Sequence, residues 1–293
     1  VIMTALAARE FGGRRLGLIA GGLAAIYPNI WSWDGTILSE ILAMLFLSTT
    51  VYVVYRFWNR PSFGGAALMG VSLSLATFSR AELLLLSVLV VTPIILLVKQ
   101  WDWRSRLSAL VIAGMASAAV LAPWVAFNLS RFENPVYLSE GYQITLATSS
   151  CDATYYGDYT GYWSITCPQQ ILDEDGLTRE NSDQSERSAV LLEKSIDYIQ
   201  ENITRLPTVV VVRWLRIVGL WKPLQQSDVD AYLEGRDLWV TRVAQTTSYA
   251  FMALAAAGVV IMRRRRIPVL PLVGPLIAIF ITNPVSTIFA LYT

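Results

Sequence analysis

The stretch that decides the fold is residues 61–98, PSFGGAALMGVSLSLATFSRAELLLLSVLVVTPIILLV, between Arg60 and Lys99. Its only charged residues are Arg80 and Glu82, near the middle. A membrane helix needs about 20 apolar residues to cross the hydrocarbon core, so this stretch is too long for one crossing. It predicts a tight hairpin of two short membrane helices, with Arg80 and Glu82 at the tip.

The rest of the chain has the same apolar character. Apolar residues make up 54% and charged residues 15%, whereas a typical soluble domain has about 25% charged residues. Leu107–Phe127 and Thr246–Met262 contain no charge at all, which predicts further membrane spans. We therefore expect a mainly α, polytopic transmembrane helix bundle. The net charge of +1 argues against a nucleic-acid partner, which requires clustered Lys and Arg.

Basic residues separate the apolar runs and predict the orientation, because cytoplasmic loops carry an excess of Lys and Arg. Placing all four basic groups in the cytoplasm leaves an even number of crossings between neighbouring groups. The groups are Arg9, Arg14 and Arg15; Arg56 and Arg60; Lys99, Arg104 and Arg106; and 263–266.

This orientation divides the chain into three regions. Residues 1–127 and 243–293 are expected to hold transmembrane helices, and residues 128–242 an extracytoplasmic domain. The aromatic, Gly-rich and Ser-rich first half of that domain suggests turns and short strands, hence a small α+β subdomain. Asp183 and Glu186 have capping-box spacing at the start of an amphipathic helix. The segment 207–221 is predicted to lie in the outer membrane interface.

The two cysteines, Cys151 and Cys167, both lie in the predicted outer domain. A cysteine pair in an oxidising compartment usually forms a disulfide. Two buried free thiols are the alternative.

The chain contains no histidine, which excludes Ser-His-Asp and Cys-His catalysis and leaves carboxylates for acid–base chemistry. Ionisable groups at membrane depth are costly and usually functional. On the outer side the unusual ones are Asp34, Glu40, Arg80, Glu82, Arg213 and Arg216.

Glu40 lies about one turn inside a predicted span, at a spacing that does not fit a capping role. It is a candidate supporting catalytic residue, or alternatively a carboxylate resting in the headgroup zone. Arg80 would hold a lipid phosphate through its planar fork of donors, with a structural ion pair as the alternative. Arg213 and Arg216 share a helix face and suit a lipid phosphate as well, although ordinary snorkelling is the favoured interpretation of their positions.

Three segments resemble the polytopic glycosyltransferases of family 39, which have the GT-C fold and include polyprenyl-phosphate-mannose mannosyltransferases and aminoarabinose transferases. The segments are LIAGGLAAIYPNIWSWDGTILSE (Leu18–Glu40), GVSLSLATFSRAE (Gly70–Glu82) and APWVAFNLSRFENPV (Ala122–Val136). The region from Cys151 to Pro223 is similar to the outer domain of actinobacterial members.

The resemblance implies a sugar donor carried on a polyprenyl phosphate and an acceptor, protein or glycan, on the outer side of the membrane. It also implies inversion at the anomeric carbon with a carboxylate base. Glu40 matches the acidic residue that organises the donor phosphate or a divalent cation such as Mg or Mn. Arg80 matches the basic residue of a T-R-P-E-like segment, although Ser79 and Ala81 replace its Thr and Pro. Phe127 replaces an Arg common in the family.

The catalytic Asp of the family lies in the first outer loop, which would fall before Val1. Val1 itself lies inside a short apolar run, so the sequence is expected to be a fragment that lacks this loop and is inactive alone.

These observations predict a multi-pass enzyme of the bacterial cell membrane with an outward-facing active site. It would move a sugar, expected to be mannose-like, from a polyprenyl-phosphate donor to an extracytoplasmic acceptor. The rivals are a lipid-linked glycan polymerase or ligase, a transporter, and a non-catalytic envelope protein.

Overall fold

The computed structural model describes residues 1–32, 39–266, 269, 274, 275, 277 and 278. Thirteen α-helices occur among them, with a 3-10 helix (Ala81–Leu85) and a π-helical turn (Ser87–Val91) before α5. The helices are α1 (Ile2–Ile26), α2 (Pro28–Trp31), α3 (Ser39–Asn59), α4 (Phe63–Ser79), α5 (Thr92–Leu97), α6 (Trp103–Arg131), α7 (Gly141–Ser149), α8 (Asp152–Tyr155), α9 (Thr166–Glu174), α10 (Gln184–Glu201), α11 (Leu206–Ile217), α12 (Pro223–Leu233) and α13 (Leu238–Arg264).

Three of these helices, α3, α6 and α13, are long and apolar enough to cross a membrane. Two shorter apolar segments, Phe63–Ser79 and Ala81–Leu97, lie between α3 and α6. The predicted mainly helical, multi-pass architecture is therefore confirmed in outline. The predicted final span after Arg266 falls mostly outside the described residues.

The predicted α+β subdomain is wrong, because the described part of the chain contains no strand. The Tyr-rich and Gly-rich segment that suggested strands instead forms tight turns. Gly157 and Gly161 have φ angles of 74° and 75°, a left-handed conformation that interrupts an extended strand. The Gly161 amide donates to the carbonyl of Thr154 at 2.8 Å, which closes one of these turns.

The chain divides into two compact units. Among the described residues the first unit comprises 1–121 and 227–278, and the second comprises 122–226. The predicted division into regions at 127/128 and 242/243 stays a prediction.

The first unit contains the predicted hairpin. The chain leaves helical geometry at Arg80, whose backbone is extended (φ −149°, ψ 114°), and then returns. At the far end the ring of Phe63, which begins α4, lies 5.1 Å from the ring of Trp101, which follows α5. The start and the end of the stretch are therefore neighbours, with Arg80 at the opposite end.

Small residues allow α4 and α6 to approach closely. A Cβ atom on Gly70 would overlap the carbonyl oxygen of Ala113. One turn along, the hydroxyls of Ser74 and Ser117 lie 2.7 Å apart. Membrane helices associate through small residues of this kind because lipid supplies no hydrophobic driving force between them.

Two hydrogen bonds link segments that carry the basic groups predicted to share one side of the membrane. Asn59 donates from Nδ2 to the carbonyl of Glu10 at 2.8 Å, which joins the end of α3 to the first basic group. Arg106 donates from Nη1 to the carbonyl of Leu96 at 2.7 Å. The end of α3 thus contacts the part of α1 that carries Arg9, and the start of α6 contacts the end of the hairpin.

The second unit is held by features that suit a domain in water. Cys151 and Cys167 form a disulfide with Cα atoms 6.0 Å apart, as predicted. Asp183 accepts from the amide of Glu186, and Glu186 accepts from the amide of Asp183, both at 2.8 Å. The predicted capping box is therefore confirmed at the start of α10.

Candidate functional site

Arg80 contacts two carboxylates in the first unit. Its Nη2 atom donates to Oε1 of Glu40, and its Nη1 atom lies 3.3 Å from Oε1 of Glu82. The side chains of Glu40, Arg80 and Glu82 are 31%, 21% and 25% exposed. The structure therefore brings together two predicted site residues that are 40 positions apart, and leaves them reachable by a ligand.

Local structure positions each member of this group. Glu40 lies in the first turn of α3, at a helix end rather than at mid-helix. Arg80 occupies the extended break after α4, and Glu82 lies in the first turn of the 3-10 helix that follows. The side chain of Arg80 therefore extends from the point where the helical backbone is interrupted.

Arg80 retains hydrogen-bonding capacity. A guanidinium carries five N–H donors, and Arg80 uses one toward each glutamate. The structure gives its side chain no other hydrogen bond within the described part of the chain. An anionic group such as a phosphate fits the remaining donors.

A second ion pair in the first unit joins Glu234 and Arg236. Neither residue was among the predicted site residues. The two residues flank Gly235, whose φ is 63°, and the amide of Arg236 donates to the carbonyl of Ala231 at 2.9 Å. This is the hydrogen bond of a Schellman motif. A Glu-Gly-Arg sequence directly after a helix was the available signal.

The pKa of Glu234 is raised to about 7, chiefly by burial and to a smaller extent by the carboxylates of Asp230 and Glu40, whereas Arg236 lowers it. Glu234 lies in the connection between α12 and α13, outside the three long spans. Glu40, which is paired with Arg80, makes the smallest of these contributions to the pKa of Glu234.

The residues around Glu40 do not form a metal-binding set. No group of three or more Cys, Asp or Glu side chains is arranged for a metal ion within the ranges that the structure describes, and Glu40 already accepts from a guanidinium. The predicted Mg or Mn ion stays a prediction. Asp34, another predicted outer-side carboxylate, lies outside the described residues.

Arg213 and Arg216 lie in the second unit, on α11, and both are buried, with 1% and 3% exposure. Arg213 donates from Nη2 to the carbonyl of Ser149, and its guanidinium lies over the ring of Tyr155 at 5.6 Å. Burial lowers the pKa of Arg213 to about 10. These contacts cross-link the unit internally.

Arg216 makes contacts of the same kind. Its Nε atom donates to the carbonyl of Thr160 at 2.8 Å, and Nη1 donates to Oε1 of Gln226 at 3.1 Å. The exposed side of α11 carries Val211 and Trp214 instead. The arginines thus face inward and apolar side chains face outward, so the phosphate role predicted for Arg213 and Arg216 stays a prediction without support from these contacts.

The fold and the site define a class: an all-helical, multi-pass membrane protein, over its described residues, with a half-buried set of paired charges at a helix break. Comparisons with protein-family models, with curated proteins and with solved structures found no match for this chain. The resemblance to family 39 therefore rests on the sequence segments quoted above.

Proposed function

We propose that this protein is a membrane-embedded, inverting glycosyltransferase. It moves a sugar, mannose-like in our proposal, from a polyprenyl-phosphate donor to a protein or glycan acceptor on the extracytoplasmic side. The observation that carries the proposal is the arginine at the hairpin tip, held by Glu40 and Glu82 and retaining free donor capacity.

Arg80 would bind the donor phosphate. Glu40 and Glu82 fix the plane of the guanidinium, so that its remaining N–H donors point in a defined direction. When the sugar leaves, negative charge grows on the phosphate oxygen, and a preorganised guanidinium stabilises that charge without reorganisation. Glu40 is in this view an orienting residue.

The apolar surroundings suit a lipid-linked donor. The hairpin tip adjoins helices whose exposed residues are mostly apolar, including Phe78, Leu84 and Leu85 close to Arg80 in sequence. A polyprenyl chain would lie along such surfaces, while the phosphate headgroup reaches Arg80.

The rivals differ in testable ways. A glycan polymerase or ligase would load its donor as a diphosphate. A transporter would place paired charges or broken helices near the midplane in both halves of the chain, whereas Glu40 lies at a helix end. A non-catalytic envelope protein would turn over no donor at all.

The test is transfer of labelled mannose from polyprenyl monophosphate in membranes containing the full-length protein. Replacing Arg80 with Ala should lower the rate roughly 10²- to 10³-fold, as loss of one charge-stabilising donor does elsewhere. Glu40→Gln keeps the size but removes the charge that orients Arg80, and should also lose most of the rate.

Arg242→Ala is the matched control, because Arg242 also pairs with a carboxylate, that of Asp228, at 2.9 Å in the first unit. It should keep the parental rate. A parent that uses only a diphosphate donor would favour the polymerase or ligase. Parental turnover in both Arg80→Ala and Glu40→Gln would reduce the group to a structural ion pair.

A further inference from the structure

Arg131, in the last turn of α6, carries a guanidinium that the proposed function does not use. The residue is exposed, and within the described part of the chain its side chain makes no hydrogen bond and no ion pair. A cation in the last turn of a helix is favoured by the helix dipole, but that interaction does not occupy the five N–H donors of the guanidinium. Those donors can therefore bind a ligand.

Aromatic rings restrict the guanidinium of Arg131. Its central carbon lies 5.8 Å from the centre of the Phe127 ring and 5.3 Å from that of Phe132. The ring of Trp124 stacks on Phe127 with 5.8 Å between their centres, and Nε1 of Trp124 donates to the carbonyl of Leu138 at 2.8 Å. Cation–π contacts of this kind hold a guanidinium by its face and leave the N–H donors along its edge unoccupied.

The length of α6 is consistent with a position of Arg131 at a membrane surface. Helix α6 is long and apolar enough to cross a membrane, and residues 107–130 carry no charge. At 1.5 Å per residue they measure about 36 Å, more than the hydrocarbon core of about 30 Å and less than the 40–45 Å or so that includes the headgroups. With Arg106 at one surface, Arg131 reaches the headgroup layer of the opposite leaflet, where lipid phosphates lie.

We propose that Arg131, in contact with Phe127 and Phe132, binds the phosphate of an anionic phospholipid in the leaflet opposite Arg106. The guanidinium donates two parallel N–H bonds to phosphate oxygens. Trp124 and Phe127 are 43% and 49% exposed, and their rings pack against the glycerol backbone and the first methylenes of the lipid, as aromatic residues do at membrane interfaces.

The charge of the site favours an anionic lipid over a zwitterionic one. Arg131 is the only Lys or Arg in residues 107–178, and the nearest carboxylate along the chain, that of Glu133, makes no ion pair with it among the described residues. An anionic headgroup neutralises this charge, whereas a zwitterionic headgroup brings a cation of its own. The site uses none of the residues around Arg80, so lipid binding does not depend on sugar transfer.

The experiment is native mass spectrometry of the full-length protein, released from nanodiscs that contain equal amounts of phosphatidylglycerol and phosphatidylcholine. The parent should retain phosphatidylglycerol preferentially. Arg131→Gln should lower that preference about fivefold, which is the contribution of one arginine to the binding of anionic lipid at a membrane surface. Arg131→Lys keeps the charge but loses the planar fork, and should retain part of the preference.

Further variants separate the site from net charge and from folding. Phe127→Leu removes one ring beneath the guanidinium and should lower the preference about twofold, because an exposed cation–π contact is weak. Arg179→Gln is the matched control, since Arg179 is exposed in the same unit but lies between α9 and α10, outside the long apolar helices. It should keep the parental preference. Equal thermal unfolding of Arg131→Gln and the parent excludes a folding defect.

A parental preference in Arg131→Gln, or an equal loss in Arg179→Gln, would overturn the proposal. Displacement of the retained lipid by millimolar inorganic phosphate would also overturn it, because the site would then belong to a free anion. A parental dimer that Arg131→Gln abolishes would assign the exposed rings to a second copy of the chain instead. A parent that transfers no sugar would overturn the proposed function and leave the lipid site unaffected.

Discussion

The two units of this protein are stabilised by different means. In the first, α4 and α6 approach through Gly70 and the hydroxyls of Ser74 and Ser117. In the second, a capping box orders the start of α10, a disulfide closes a loop, and two buried arginines join segments that are far apart in sequence. The difference follows the solvent, because helices in lipid must pack backbone against backbone, whereas a small polar unit has too little apolar surface to be stable without cross-links.

The two units also differ in how each one uses a buried or half-buried arginine. Arg80 faces two glutamates and is 21% exposed, whereas Arg213 donates to a backbone carbonyl and is 1% exposed. An arginine paired with carboxylates at an open corner can accept a ligand. An arginine that satisfies buried carbonyls is a structural part of its unit.

The largest expected effect in this comparison is that of Arg213→Ala. Removing the side chain takes one of two donors from the carbonyl of Ser149, which keeps the hydroxyl of Thr154, and opens a cavity beneath Tyr155. Together these should lower the free energy of unfolding by about 4 kcal/mol. Pulse proteolysis of the whole protein in urea would measure the loss.

Arg179→Ala is the control, since Arg179 is exposed in the same unit, and it should change stability by less than about 0.5 kcal/mol. Parental stability of Arg213→Ala would remove the structural role assigned here and return Arg213 to the candidate phosphate ligands.

The second largest expected effect is that of removing the disulfide. Its loop separates the cysteines by 16 residues, for which loop-closure entropy predicts about 3 kcal/mol. The double variant Cys151→Ser, Cys167→Ser should lose that amount, and reductant should bring the parent down to the level of the variant. If reductant destabilises the double variant equally, the loss in the parent does not come from this bond.

The smallest expected effect concerns the packing of α4 against α6 in the first unit. Gly70→Ala places a Cβ against the backbone of Ala113 and should cost about 1 to 3 kcal/mol by overpacking. Gly114→Ala is the natural control, because nothing lies within 4 Å of a Cβ at Gly114 on α6. Thermal unfolding in detergent would compare them. Equal behaviour of the two variants would show that close approach of α4 and α6 is not needed.

Much of the fold was predictable. The spans at α3, α6 and α13 follow from uninterrupted apolar runs, and the hairpin follows from one run of excessive length with charges at its middle. The capping box of Asp183 and the disulfide were predicted from spacing and compartment. The strands predicted around Tyr155 were wrong, because two glycines with left-handed φ form turns there.

The site was predictable only in part. Glu40 and Arg80 stand out in the sequence because charges are rare in apolar helices, but their direct contact is visible only in the structure. Glu234 follows a helix of ordinary polarity, and the Glu-Gly-Arg sequence after that helix marks a turn rather than a site. The sequence could not distinguish Arg213 from Arg80 either, since both are arginines in apolar surroundings.

The sequence by itself determined which helices are long and apolar enough to span a bilayer and where α10 begins. These properties depend on residues within one or two turns of each other, so consecutive letters contain the information. Only the tertiary structure decided that Arg80 meets Glu40 and that Arg213 faces Ser149. The partners of a charged side chain come from distant segments, and their proximity depends on how whole helices pack.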